Sequence, residues 1–232
     1  MIPFIIWAAT RTSSTNLCRA LGAENEPFQA GPPESRLAWS YRRWREDRST
    51  RAIELLCENK ISIKHIAEAF DDEFNIALAR TALHHGYRHI HLVRLNEVAR
   101  LISLDVAGQL DAWWPHDAKD RFEELKESGH RLNPLDVPRL LENSRQVMRS
   151  WHAVAPYIHP KIRVTYEDLI TKDSHRRESV LRWIVNYLEF PISKISELDE
   201  AMRTGGQNSA QVRDLIPNIF ELRMRMTSEG LR

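Results

Sequence analysis

The length, composition and charge of the chain exclude several classes of protein at the outset. Its 232 residues suit one domain with a sizeable core, and 33 basic against 32 acidic residues leave a net charge of only +1. This balance does not favour a nucleic-acid-binding or membrane-surface protein, so any anion site must depend on a local cluster of cations. The apolar first nine residues are too short to span a bilayer and lack the basic region and cleavage site of a secretion signal.

The first predicted strand and the hydroxyl-rich segment after it form the first candidate site. In "PFIIWAATRTSSTNL" the apolar run stops at Ala9 and a helical pattern begins near Ser14, so residues 11–15 form a turn over the start of a helix. Unpaired N–H groups and the positive end of the helix dipole favour an anion there. The hydroxyls indicate phosphate binding or, equally well, an ordinary Ser/Thr helix cap. The segment lacks the glycines and the Gly-Lys-Ser/Thr ending of a nucleotide-triphosphatase P-loop.

Four short apolar or β-branched segments alternate with helical patterns along the chain, as is typical of parallel βαβ units. They are residues 5–9, 61–64, 90–93 and 162–165. The sequence therefore predicts a single α/β domain over residues 1–232, with a doubly wound parallel sheet of about four to five strands. Helical insertions are predicted at about residues 109–156, and a C-terminal helical region at about residues 171–232.

The two cysteines and the longest helix pattern are predicted to be structural. Cys18 and Cys57 lie within helical apolar patterns and lack metal spacing, which predicts reduced core thiols in a cytoplasmic protein. The helix over residues 137–155 has Asp136 as its N-cap and Pro156 as its stop, and its apolar stripe is predicted to face the core.

A second candidate anion site follows the third strand. Arg94 closes "HIHLVR", and Asn96, Arg100 and Ser103 recur at offsets of four and three, which places them on one face of the next helix. Arg94 and Ser103 are thus able to converge on one phosphate at the carboxyl edge of the sheet. The alternative is an ordinary strand-ending arginine paired with a carboxylate.

Taken in order, three motifs resemble the phosphoadenosine-phosphosulfate (PAPS) sulfotransferases, most closely the bacterial carbohydrate branch that includes the trehalose and nodulation-factor enzymes. They are "RTSSTNL", the pair formed by Arg94 and Ser103 with eight residues between them, and "VTYEDL" after the fourth strand. The resemblance implies a P-loop-like sheet and PAPS as sulfuryl donor, with PAP as product and no metal required. It also implies in-line transfer to a hydroxyl of a carbohydrate or glycoconjugate.

The resemblance also implies roles for individual residues. Arg94 and Ser103 would hold the 3′-phosphate, and Ser13 stands where the family usually has glycine. The residues implied to hold the 5′-phosphosulfate are Arg11, Thr12, Ser13, Ser14, Thr15 and Asn16.

Two rival bases follow from different branches of the same family. In "AENEPF", Glu26 matches the glutamate base of the trehalose branch, with Asn25 in place of a glycine and Glu24 as a fallback. In "ISIKH", Lys64 matches a lysine at the active-site edge, and His65 resembles the base of the cytosolic branch. We favour Glu26 because the resemblance to the bacterial branch is closer.

The late loop and the paired tryptophans leave alternatives open. "RTGGQNSAQV" resembles the family loop that folds over the cofactor, which would involve Arg203, Gln207 or Asn208, or else it is a bare turn. One of Trp113 and Trp114 is expected to be exposed, either for stacking on a sugar or for a homodimer contact.

Other polar clusters do not predict sites. His85 and His89 have a metal-like offset, but Gly86 is expected to end the helix between them, so no zinc site is predicted. The basic stretch "SYRRWRED" is followed at once by acids and is typical of a solvated helix face. The alternative functions are an ATP-dependent small-molecule kinase on a related sheet and a sulfotransferase-like binding protein without catalysis.

Overall fold

The computed structural model describes residues 2–23, 36–113, 115–204 and 209–230. Its four strands are β1 (Phe4–Ala8), β2 (Ile63–Ile66), β3 (Arg88–Val93) and β4 (Lys161–Thr165). Its helices are α1 (Ser14–Leu21), α2 (Arg36–Asp47), α3 (Arg51–Glu58), α4 (Asp72–His84), α5 (Glu97–Leu110), α6 (Pro115–Ser128), α7 (Val137–Val154), α8 (Tyr166–Leu169), α9 (Ser174–Leu188), α10 (Lys194–Thr204) and α11 (Ile219–Ser228), with short 3₁₀ helices at Ala67–Ala69 and Ser209–Leu215.

The strands form one parallel sheet in the order β2-β1-β3-β4. Ala8, the last residue of β1, pairs with Ile66 on one side and Leu92 on the other, so the carboxyl ends of these strands meet at one edge. Val93 pairs with Thr165, which brings the end of β4 to the same edge. Parallel sheets with helical crossovers bind ligands outside this edge.

Helices cover both faces of the sheet because β1 is apolar on both sides, while β3 is largely apolar on one side and carries His89 and His91 on the other. Ile6 and its neighbours on one face pack against α1, α9 and α10, whereas Trp7 and its neighbours pack against α2, α3 and α4 on the other. A third core joins α5, α6 and α7 to the last two helical segments of the chain. The predicted α/β class and parallel sheet are therefore confirmed, with four strands.

Side-chain caps set where several helices begin, as their N-cap residues predict. Asp136 accepts a hydrogen bond from the backbone N–H of Arg139 at the start of α7, which confirms the predicted cap. Pro156 follows directly after the predicted end, and the observed helix stops at Val154. The equivalent N-cap residues are Asp71 for α4, Asn96 for α5, Thr165 for α8 and Asp173 for α9.

The predicted second strand, residues 61–64, is displaced in the structure. The observed strand is Ile63–Ile66, because pairing with β1 continues to Ile66, opposite Ala8. His65 therefore lies within the strand and not beyond it. This correction matters for the candidate base, because neighbouring residues of a strand face opposite sides of the sheet.

Several smaller expectations are also resolved. Cys18 and Cys57 are both buried and form no disulfide, as predicted. Helix α4 ends before Gly86, which has a positive φ of 73°, so His85 and His89 do not share a helix. Trp113 is 46% exposed, whereas Trp114 lies outside the described residues. No helix within the described ranges is long and apolar enough to cross a membrane.

Candidate functional site

The turn between β1 and α1 lies at the carboxyl edge of the sheet, beside the ends of β3 and β4. Two of its residues have left-handed backbone conformations, with φ of 69° at Arg11 and 60° at Ser13. Such angles cost non-glycine residues about 1 kcal/mol or more, so the surrounding contacts must hold the turn in place. Thr12 supplies one of these contacts, because its hydroxyl donates to the backbone carbonyl of Ala9 at 2.8 Å.

The start of α1 exposes backbone donors at this turn. The carbonyl of Ser13 accepts from the N–H groups of Asn16 and Leu17, which begins the helix. Within the described part of the chain, no hydrogen bond is formed by the backbone N–H groups of residues 12–15. A helix start with free N–H groups attracts anions through those donors and the helix dipole.

Arg11 extends from this turn towards α5. Its Nε donates to Ser103 Oγ at 3.0 Å, and its Nη1 donates to the backbone carbonyl of Trp113 at 3.4 Å. Burial and the nearby charge of Arg94 lower the pKa of the Arg11 guanidinium to about 10. Burial and the like charge of Arg94 therefore destabilise the charged form of Arg11, and a bound anion would stabilise it.

Arg94 follows β3 and lies against the same turn. Its Nη1 donates to the backbone carbonyl of Arg11 at 3.1 Å, and its guanidinium lies 4.3 Å from the ring centre of Tyr166. Its Nε is buried without a hydrogen-bond partner, and burial lowers the pKa of the guanidinium. Neither arginine forms an ion pair with any described residue. Two neighbouring guanidinium groups that form no ion pair with the described residues constitute the main evidence for an anion site.

Lys64 adds a third cation beside the start of α1. Its side chain is only 6% exposed, and its Nζ donates to Thr15 Oγ1 at 3.1 Å. No carboxylate among the described residues pairs with it. The structure thus brings Lys64, Thr15, Arg11, Arg94 and Ser103 to one region, and we call these five residues the anion cluster.

The remaining hydroxyl and amide side chains of the turn differ in accessibility. Thr12 is fully buried and Ser14 is 5% exposed, so both side chains are enclosed. Ser13, Thr15 and Asn16 are partly exposed at the start of α1. The donors that a ligand reaches most directly are therefore Ser13, Thr15 and the backbone of the turn.

A buried network holds the base of the anion cluster. Arg100, 1% exposed, pairs with Glu97 at 2.7 Å and donates to the carbonyl of Thr10 at 3.3 Å. Glu167 accepts from the backbone N–H groups of Leu95 and Asn96 at 3.0 Å, which ties the start of α5 to the end of β4. These residues position the cluster and have their own partners.

Glu68 also lies in this region, although none of the sequence motifs includes it. Its Oε1 accepts from the backbone N–H of Thr10 at 2.7 Å and from the Thr10 hydroxyl at 3.1 Å. Its Oε2 is buried without a partner, and burial raises the pKa of the carboxyl. The feature of the sequence that could have indicated Glu68 is its position two residues after β2, at the carboxyl edge of the sheet.

His65 faces the opposite side of the sheet from Lys64. It is fully buried, its Nε2 lies 2.6 Å from Asn75 Oδ1, and its ring packs edge-on against Trp7 at 4.9 Å. Burial lowers the pKa of the imidazole to about 4, so the ring is neutral at pH 7. The described contacts give it a core environment and do not bring it to the anion cluster.

The other predicted site residues fall elsewhere. Arg203 is exposed on α10 and pairs with Asp199 at 3.0 Å and Glu200 at 3.2 Å, so no described contact joins it to the anion cluster. Glu26, its fallback Glu24 and the loop residues Gln207 and Asn208 lie outside the described residues.

Comparison with known proteins does not identify a family for this chain. No protein-family model matches the sequence, and no curated protein matches it significantly.

Proposed function

We propose that the protein is a PAPS-dependent sulfotransferase that acts on a hydroxyl of a carbohydrate or glycoconjugate. The observation that carries the proposal is the juxtaposition of Arg11 and Arg94, which have no described counterion, beside the free N–H groups at the start of α1. Unpaired, partly buried arginines are costly unless an anion completes the site. The order of the three sequence motifs supports PAPS as that anion.

The anion cluster fits a ligand with two separate anionic groups. PAPS carries a 5′-phosphosulfate and a 3′-phosphate, and its role is to supply the sulfuryl group. The N–H groups of residues 12–15, with Lys64 and Thr15 beside them, suit the 5′ group. Arg94 suits the 3′-phosphate, because its buried Nε lacks a partner and a guanidinium presents parallel donors to a phosphate.

The conformation of Ser13 supports the same assignment. Its φ of 60° belongs to the region that glycine occupies without steric cost, and glycine is usual at this position in the family that the sequence resembles. Serine therefore replaces glycine here without a change in the kind of turn that the position requires.

The residues of the cluster suit group transfer as well as binding. Sulfuryl transfer, like phosphoryl transfer, develops negative charge on the bridging oxygen of the leaving group, so fixed cations near that oxygen lower the barrier. Arg11 and Lys64 are the candidates for this role. A base must also accept the proton of the acceptor hydroxyl, and Glu26 is the proposed residue because His65 is enclosed in the core.

Titration with PAP tests the proposal directly. Isothermal titration in EDTA should give micromolar or tighter binding of PAP, because both of its anionic groups meet cationic partners. A parallel titration with ATP and magnesium tests the kinase alternative. Absence of PAP binding would overturn the proposal, and ATP turnover would support a kinase.

A transfer assay separates an enzyme from a binding protein of the same fold. The protein is incubated with ³⁵S-labelled PAPS and a panel of mono- and disaccharides, with R94Q as the matched variant that weakens donor binding. Labelled sulfated product that depends on Arg94 would support catalysis. PAP binding without transfer to any member of a broad acceptor panel would favour the binding-protein alternative.

A further inference from the structure

A cleft of about 510 Å³ lies between α2 and the short 3₁₀ turn Ala67–Ala69 that follows β2. Ala38 and Tyr41 of α2 line it together with Ala69 and Phe70, and the rings of Tyr41 and Phe70 are in contact with each other. A volume of this size accommodates a small molecule. The sequence motifs and the anion cluster assign no role to it.

The aromatic lining of the cleft favours a ligand with a flat apolar face. The rings of Tyr41 and Phe70 meet edge to face at 4.6 Å, and Tyr41 also contacts Phe74 at 4.9 Å, so both rings are held in fixed orientations. Rigid aromatic walls bind the faces of aromatic rings and the C–H faces of sugar rings.

The charges at the rim favour an anionic substituent. Arg42, Arg45 and Glu46 line the cleft, and the Glu46 carboxylate is paired with Arg43 at 2.8 Å. Arg45 forms no ion pair with any described residue. A guanidinium beside aromatic walls suits a ligand that carries both a ring and a carboxylate.

The cleft adjoins the anion cluster through consecutive residues. Ala69 lines the cleft, and Glu68, whose Cα is about 3.8 Å away along the chain, binds the backbone of Thr10. Thr10 in turn precedes Arg11. The cleft and the turn that forms the proposed donor site are therefore linked through Ala69, Glu68 and Thr10.

We propose that this cleft is the acceptor site and that it takes a small molecule with a flat apolar ring face and a carboxylate bound by Arg45. This inference rests on the proposed sulfotransferase function. It restricts the acceptor to acids and admits aromatic hydroxy acids beside the carbohydrates named above. Acidic sugars and aromatic hydroxy acids share this chemistry.

Two matched ligand pairs test the proposal and distinguish the two sources. Methyl β-D-glucuronide carries a carboxylate where methyl β-D-glucoside carries a hydroxymethyl group, and 6-hydroxy-2-naphthoate is 2-naphthol with an added carboxylate. Direct titration without PAP should show that the acid of at least one pair binds about five- to tenfold more tightly than its neutral counterpart. The pair that shows this preference identifies the source of the ring.

Three variants complete the experiment. R45Q should abolish the preference for the acid, whereas R51Q, which removes an exposed arginine from α3 outside the cleft, should retain it. A38L should weaken binding of the preferred pair at least tenfold by filling the cleft without creating a cavity. Circular dichroism should show that all three variants remain folded, and an unfolded A38L would be replaced by the smaller A38V.

The proposal is overturned if neither acid binds, if the preference survives in R45Q, or if filling the cleft leaves binding unchanged. PAP titration of the same samples distinguishes this failure from failure of the proposed function. Retained PAP binding with no binding of either acid rejects the cleft alone, and loss of both rejects both proposals.

Discussion

The guanidinium of Arg94 donates from Nη1 to the backbone carbonyl of Arg11 at 3.1 Å, so one arginine fixes the turn that presents the other. The nearby charge of Arg94, after burial, is the second cause of the lowered pKa of Arg11. Like charges held this close destabilise the unliganded protein. Binding of an anion between or beside them should stabilise the protein against unfolding.

Replacement of Arg94 should weaken PAP binding by roughly 10- to 150-fold, because hydrogen bonds to charged groups contribute about 1.5–3 kcal/mol. We expect R94K to fall between R94Q and the parent chain, since lysine keeps the charge but not the planar fork. Isothermal titration measures both variants. R121Q, which removes an exposed arginine on α6 that pairs with Glu124, should match the parent chain, and equal affinity of R94Q would contradict the assignment.

Replacement of Ser13 by glycine should stabilise the protein by about 1 kcal/mol, because glycine adopts its left-handed conformation without strain. S13V should be destabilising by at least as much, since a β-branched residue is poorly suited to this region. Urea unfolding measures the free-energy changes. As a control, L110G at the end of α5 should be destabilising, and stabilisation by both glycines would indicate a nonspecific effect.

Two buried histidines, His65 and His89, and the half-buried His91 predict that the protein loses stability in mild acid. Burial lowers the pKa of His65 and His89 to about 4 and that of His91 to about 3, from an ordinary value near 6.5. Between these values the unfolded chain binds more protons than the native protein. The contribution of these neutral histidines to the free energy of unfolding is therefore fully present above pH 6.5 and is lost as the pH falls towards 4.

Denaturation in urea at pH 7.5, 6 and 5 tests this expectation. The loss for His65 alone should reach about 3 kcal/mol when its titration is complete, at about 1.4 kcal/mol for each unit of lowered pKa. H91F should reduce the pH dependence, whereas H130Q, at an exposed position, should leave it unchanged. A free energy of unfolding that does not change between pH 7.5 and 5 would refute the prediction.

Removal of the Glu68 carboxyl should destabilise the turn before Arg11. In E68A the backbone N–H of Thr10 loses its acceptor, which should cost about 1–3 kcal/mol of unfolding free energy and weaken PAP binding. E68Q keeps an oxygen for Thr10 and should retain most of the stability. Equal behaviour of the two variants would show that the charge, and not the hydrogen bond, is what matters.

The two candidate bases can be separated by their effects on turnover. E26Q should leave the Kd of PAP nearly unchanged and lower kcat by about 10²- to 10⁴-fold, as expected for loss of a general base. H65Q should act mainly through stability, because His65 is enclosed in the core. Full activity of E26Q together with a folded but inactive H65Q would identify His65, and not Glu26, as the general base.

Prediction of the fold succeeded where the signals were local. Short apolar runs marked all four strands, and Asp136 marked the start of α7 through its own side chain. The second strand was displaced because the local pattern of residues 61–64 does not show how far pairing with β1 continues along the chain. Only pairing of Ile66 with Ala8 decides where that strand ends.

Local sequence determined the elements of this protein and the residues available at their ends, because hydrophobic period and helix caps act over a few residues. Tertiary structure decided which of those residues meet. Sheet order brings Arg11 to Ser103 across 92 positions and Thr10 to Glu68 across 58, and register places Lys64 and His65 on opposite faces. Pairing with Asp199 neutralises Arg203, while Arg94 has no described counterion. The sequence contains all of these charges, but only packing determines which of them are paired with a carboxylate.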